Sequence, residues 1–279
     1  MHSAKPAPDS FEASQEMHPE LVAKLIELLL AEMPRFTPDW RETATDYASQ
    51  RRFLHGLMNV RPPAPLSARF LESQNQLLRG EAEQRGVVEA STLHGSPLDS
   101  RLSLWQGDIT QLEADAIVNA ANSQMLGCFG WNHACIDNAI HSAAGLELRQ
   151  ECYEIMTQRG RPEPTGTATL TGGYCLPAKH VIHTVGPIIE DQPSQLQIRQ
   201  LQSCYQQCLE LAASHDLHSI GLCAISTGVF RFPKEQAAQI AVQTTREFLA
   251  KASQSSVERI VFVVFNDRDY QIYQRLLHR

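Results

Sequence analysis

The chain of 279 residues lacks any long apolar run: the longest, Leu21 to Ala31, is interrupted by Lys24 and Glu27 and is too short to span a bilayer. It also lacks positive charge. Twenty-four Lys and Arg against 31 Asp and Glu leave a net charge of −7. That balance removes any broad attraction to nucleic acid or an anionic membrane, and neither is expected as a partner. A local basic site for a phosphate-bearing ligand stays open. No Walker A loop and no G-x-G-x-x-G are present, so the two commonest nucleotide signatures are missing. The opening residues, Met1 to Pro8, are polar and Pro-rich, without the apolar core of a signal peptide. Seven cysteines, an odd number without small-domain spacing, fit reduced thiols and a cytoplasmic location better than a disulfide framework.

What is present falls into three stretches. Residues 1–17 read as a disordered lead. Residues 18–95 carry a helical pattern and form an extension expected to pack on the main domain, because its apolar faces need burial. Leu21, Leu25, Leu28 and Leu29 recur at helical spacing until Pro34. Thr37, Pro38 and Asp39 open a long helix bearing Tyr47, Phe53, Leu54 and Leu57. After Arg61, Pro62 and Pro63 comes a third, with Phe70, Leu71, Leu77 and Leu78. Residues 96–279 alternate strands with helices. Strands are expected at 102–105, 116–119, 167–171, 181–184, 220–225 and 260–265, and helices at 134–144, 146–159, 194–215, 234–250 and 269–277. Such alternation implies an α/β fold with a largely parallel sheet between helices. Ligands of such sheets bind beyond the carboxyl ends of the strands.

Chemistry-bearing residues gather just there. Cys128, His133 and Cys135 are spaced C-x4-H-x-C. Two sulfurs and an imidazole suit zinc, and three ligands leave the open position of a catalytic site. A structural site completed by His141 or Cys152, or no metal at all, are the alternatives. Ile225 to Phe230 leaves a strand for a helix near Pro233. Its backbone N–H groups suit a diphosphate, and an ordinary turn reads equally well. Asp108 follows a strand, where a carboxylate meets an exocyclic amine or simply caps a turn. Asp137 sits on the first helical turn as a dipole partner or, beside a metal and two Asn side chains, a general base. His141 and His183 read as packing or supporting residues. Cys204 and Cys208 read as core, and Arg149, Arg159 and Arg161 as a solvated face.

Five blocks give a resemblance: Gly107 to Thr110, Ile117 to Ser123, Ala139 to Gly145, Val181 to Pro187, and Ser226 to Phe230. In this order they are similar to the macrodomain family, and in particular to MacroD-type ADP-ribosyl-hydrolases. The family fold is a mixed six- or seven-stranded sheet between helices, and its ligand is ADP-ribose. Ordinary members carry a glycine run where this chain has Gly127 to Cys135. That departure resembles the zinc-containing macrodomains, which hydrolyse mono-ADP-ribose from proteins. In microbes these are often encoded beside a class M sirtuin and a lipoylated carrier protein. The N-terminal helical segment is similar to that branch as well.

The resemblance implies roles position by position. Asp108 contacts adenine, with a backbone contact from Ile109, and Asn266 lies at the adenine end. Asn122 holds the distal ribose and Asn119 shapes its loop. Cys128, His133 and Cys135 bind one Zn2+ per chain, and Asp137 is the catalytic acid-base residue. Ser226, Thr227, Gly228, Val229 and Phe230 hold the diphosphate, with Phe230 flanking the ribose. Arg231 stands where many members have Gly. A protein modified on an oxygen-bearing side chain is the implied substrate. A non-catalytic reader of ADP-ribose and an O-acetyl-ADP-ribose deacetylase are the rivals. A structural zinc protein with a nucleic-acid role is disfavoured by the acidic charge.

Overall fold

The structure is a computed structural model that describes residues 18–37, 40, 46–251 and 255–278. The expected lead, 1–17, lies outside them. Helix α1 (Pro19–Glu32) buries Leu21, Val22, Leu25, Ile26 and Leu29 on one face. Helix α2 (Tyr47–Val60) starts at a reciprocal cap in which Ser49 N donates to Asp46 Oδ1 at 2.8 Å and Asp46 N to Ser49 Oγ at 3.1 Å. The helix bearing Phe53 therefore begins at Tyr47, not at Thr37; Pro38 and Asp39 lie outside the described residues. Helix α3 (Ala68–Arg85) is capped by Ser67 and ends at Gly86, whose φ of +86° is open to glycine. These three helices share an apolar cluster, to which Leu146 and Cys175 of the sheet-bearing body also belong.

The main sheet has the order β2-β8-β7-β4-β6-β5, built from β2 (Leu102–Gln106), β4 (Ala116–Ala121), β5 (Ala168–Gly172), β6 (His180–Val185), β7 (Ser219–Leu222) and β8 (Arg259–Val264). All neighbours are parallel except the edge strand β5. A second pair, β1 (Val88–Glu89) with β3 (Leu112–Glu113), was not expected and joins the end of the extension to the body. Helices α4 (Ile136–Ala144), α5 (Leu146–Arg159), α6 (Gln195–Ser214), α7 (Lys234–Lys251) and α8 (Asp267–Leu277) complete the fold. The alternation implied a largely parallel α/β sheet, and the resemblance a mixed one of six or seven strands; the sheet has six strands, one of them antiparallel. Its strands β4, β6, β7 and β8 are almost continuously buried, as sheets covered on both faces must be. Among the described residues, no helix is long and apolar enough to cross a membrane.

Two expectations need correction here. Strand β7 stops at Leu222 rather than at Ile225. The buried Tyr205 hydroxyl donates to Cys223 O at 3.2 Å and accepts from Ile225 N at 3.1 Å, so a side chain replaces the ladder and turns the backbone away. Arg149 does not belong to a solvated face. It is buried, and its Nη1 donates to the carbonyls of Met58, Asn59 and Arg61 at 2.8, 3.0 and 2.7 Å, while Nε donates to Leu126 O at 2.8 Å. Arg159 is half-buried and pairs with Glu163, and only Arg161 is exposed.

Candidate active site

The strand order decides which residues meet. Parallel strands end on one side, so β2, β8, β7, β4 and β6 release their loops along one edge of the sheet. Asp108 follows β2, Asn266 follows β8, residues 223–230 follow β7, and Asn122 follows β4. Asp108 and Asn266 stand on neighbouring strands at one end of this edge, with the β7 loop between them and Asn122.

Asn119 lies inside β4, two residues before its end, and is fully buried. Its Nδ2 donates to Asp137 Oδ1 at 2.7 Å and lies 3.1 Å from His183 Nδ1. An amide nitrogen only donates, so His183 Nδ1 is the acceptor and Nε2 carries the proton. That Nε2 lies 3.0 Å from Thr171 Oγ1, which in turn lies 3.3 Å from Val181 O. Asn122 Nδ2 reaches Asp137 Oδ2 at 3.3 Å and Gly127 O at 3.0 Å. The carboxylate of Asp137 is thus held from two sides by two amides of one strand and its exit.

Asp137 is buried, and burial pushes its carboxyl up to about 6 against the opposing pull of Asn119, Arg149 and Asn122. It is therefore largely ionised near neutral pH and a competent base. His141 lies one helical turn on, with Nε2 3.6 Å from Asp137 Oδ1, and both its ring nitrogens lack a hydrogen-bond partner. Burial drives its pKa well below the ordinary value, so it is neutral.

Cys128, His133 and Cys135 form one group whose donor atoms lie within 4.8 Å of one another, with Cys128 Sγ 3.3 Å from His133 Nδ1. Cys135 is the N-cap of α4, its sulfur accepting from Asn138 N at 3.4 Å, and Asn138 Nδ2 donates to His133 O at 2.7 Å. Soft, close-set donors at a helix N-terminus fit a zinc ion. His141 and Cys152, considered as fourth ligands, instead gather with His183 in a separate buried group.

The β7 loop leads into α7. Ser226 has φ +64° and Arg231 φ +58°, so the backbone is left-handed at two points five residues apart. Among the described residues, no backbone carbonyl accepts from the N–H groups of Gly228, Val229 or Phe230. Thr227 Oγ1 is turned back onto Ala224 O at 2.9 Å. Gly186, after β6, approaches Ser226 so closely that a Cβ would overlap its hydroxyl. Asp108 caps the short turn at Ile109, accepting from Thr110 N and Oγ1 at 2.9 and 2.8 Å. Ile109 is buried beneath it. Asn266 caps α8, exchanging hydrogen bonds with Asp269 at 3.0 and 2.8 Å.

Two residues that matter to this geometry escaped the sequence reading, and Arg149 was misplaced there on a solvated face because α5 is charged around its circumference. Gly186 and Gly56 show their closeness to other segments only in three dimensions.

A family model described as Macro domain matches residues 118–241. A protein-ADP-ribose hydrolase of Treponema medium is 45% identical over 261 residues, covering 91% of this chain and 96% of that protein. One of Staphylococcus aureus is 46% identical over 225 residues, covering 80% and 83%. A Trypanosoma brucei macrodomain in complex with ADP-ribose superposes with a TM-score of 0.61 at 33% identity, over 76% of this chain and 91% of that one. A relative so similar over nearly the whole length leaves one conclusion: the chain belongs to the macrodomain family.

Proposed function

We propose that this macrodomain is a hydrolase that removes mono-ADP-ribose from oxygen-linked protein side chains, releasing ADP-ribose, and that it works with one zinc ion held by Cys128, His133 and Cys135. The observation that carries the reading is Asp137. A buried carboxylate clamped by Asn119 and Asn122 beside a Cys/His triad is chemistry that a passive ADP-ribose reader has no use for. The names of the Treponema and Staphylococcus relatives support hydrolysis, and the Trypanosoma complex supports the ligand.

On this reading Asp108, Ile109 and Asn266 receive the adenosine end. The N–H groups of the Ser226–Phe230 loop take the diphosphate, helped by the α7 dipole. Asn122 orients the distal ribose, and Phe230 walls it. A zinc ion bound there supplies Lewis acidity toward an oxygen of the substrate or a bound water. Asp137 takes the proton from the attacking water as the bond between ribose C1 and the side-chain oxygen breaks. A carboxyl side chain leaves as the carboxylate, and a hydroxyl side chain leaves by taking that proton back from Asp137. By its resemblance to the zinc-containing branch, the protein substrate would be a lipoylated carrier protein modified by a class M sirtuin.

The test pairs metal analysis with turnover of Asp/Glu-linked and Ser-linked substrates, with and without chelator. We expect close to one zinc per chain, loss of turnover on chelation, and a folded but inactive Cys135→Ala. Full turnover by a demonstrably metal-free variant overturns the zinc dependence. ADP-ribose binding without turnover of any substrate overturns the hydrolase.

A further inference from the structure

Ligands and anchors alternate along residues 128–135. Cys128, His133 and Cys135 carry the donor atoms; between them Trp131 and Asn132 are tied to the N-terminal helices, and Phe129 to Arg149, which is itself bonded to them. The Trp131 indole lies over Gly56 of α2, where any Cβ would overlap it. Phe36 and Phe53 flank that indole, each with a ring centroid 5.4 Å away. His55 Nδ1 donates to Asn132 Oδ1 at 2.7 Å. Asn132 has φ +52°, a conformation Asn tolerates better than most residues. The Phe129 ring takes the Arg149 guanidinium at 4.7 Å, and that guanidinium is bonded to carbonyls at the end of α2 and just beyond it.

The segment does little to hold itself. Among the described residues its internal backbone bonds are His133 N to Gly130 O and Cys135 N to His133 O, both at 3.2 Å. A short loop without regular structure loses conformational freedom when three of its side chains converge on one point. Here that freedom is removed beforehand by partners some 77 residues away in sequence.

We infer that helix α2 is a working part of the site, with His55 and Gly56 as positioning residues that hold 128–135 in its ligating form. This rests on the reading of Cys128, His133 and Cys135 as a zinc set. The N-terminal extension is then more than a cover for the sheet: it fixes the metal-bearing loop beside Asp137.

The test uses the full chain and two readouts. Hydrogen exchange follows the amides of 128–135, and cobalt(II) titration follows affinity and the thiolate-to-cobalt absorption bands. His55→Ala should exchange about tenfold faster across that segment, with β4 and β8 unchanged, and bind cobalt about tenfold more weakly with shifted bands, the range seen when supports of metal ligands are removed. His55→Asn places an amide N–H where the Nδ1–H of His55 stands, within reach of Asn132, and should restore both. Gly56→Val should reproduce the His55→Ala pattern by unseating Trp131. Exchange and spectra like those of the unmodified protein in both His55→Ala and Gly56→Val overturn the inference. If the unmodified protein takes up no cobalt or zinc, the metal reading falls, and the exchange data alone decide whether α2 holds the loop.

Discussion

Asn119 and Asp137 are joined by a 2.7 Å hydrogen bond across 18 residues of sequence, one inside a strand and the other on the first turn of a helix. The strand residue is buried and rigid, so the carboxylate inherits its position from the sheet rather than from the loop that precedes it. His183 and Thr171 continue the chain behind Asn119 and fix the direction in which its amide points. A carboxylate held this way would lose little freedom on meeting a substrate.

Replacing Asp137 by Asn removes the base and keeps the shape. Turnover of an ADP-ribosylated protein should fall about 10²–10⁴-fold, while calorimetry shows ADP-ribose still bound. Asn119→Ala should lower kcat with little change in KM, because Asn119 acts through Asp137.

The buried histidine gives a pH signature in stability. Burial alone drives His183 down to about 3 from an ordinary 6.5. Below pH 6.5 the unfolded chain takes up a proton that the folded chain refuses. Folding free energy should therefore fall by about 1.4 kcal/mol per pH unit from this imidazole between pH 6.5 and 3. His141, buried and held neutral as well, adds a slope of the same sign, so His183→Gln should remove only its own share of the slope in urea titrations at successive pH values. An unchanged slope rules out His183 as its source.

Arg149→Met keeps most of the volume and leaves four carbonyls without their donor. Unpartnered buried acceptors are costly, and the variant should lose about 3 kcal/mol or more in denaturant unfolding. Because Arg149 also touches Phe129, its zinc content should drop together with its stability.

Arg231 holds a left-handed conformation that costs a side-chain-bearing residue roughly 1–2 kcal/mol. Arg231→Gly relieves it at some entropic expense, and thermal unfolding should show a net gain of about 1 kcal/mol or less. The same change removes a charge beside the loop proposed to hold the diphosphate. ADP-ribose affinity should weaken modestly, with a shallower salt dependence.

The readable parts of this chain share a physical reason. Strand β8 is an almost unbroken apolar run, and β4 and β6 are apolar apart from Asn119, His180, His183 and Thr184, so burial on both faces is written into them. Cys128, His133 and Cys135 are near neighbours, so any compact loop brings them together. Asn119 was harder: an Asn amid apolar residues looks like the strand's exit, and only the structure shows it inside β4 with its amide occupied. The Tyr205 hydroxyl that ends β7 and the notch at Gly56 depend on partners far along the chain. Local pattern says nothing about such pairings. Arg149 misled because an arginine among other charges resembles solvent-facing charge, while its acceptors are carbonyls, which leave no mark on composition.

Those carbonyls bear on how the protein is divided. Three of the four belong to residues 58–61, and the guanidinium that needs them sits on α5. A fragment cut to begin at residue 96 would expose an apolar patch at Leu146 and Cys175 and leave the Arg149 guanidinium without three of its four acceptors. The textual seam between an all-helical leader and an alternating body is thus bridged by packing in the folded molecule, and the body cut out alone should be less stable.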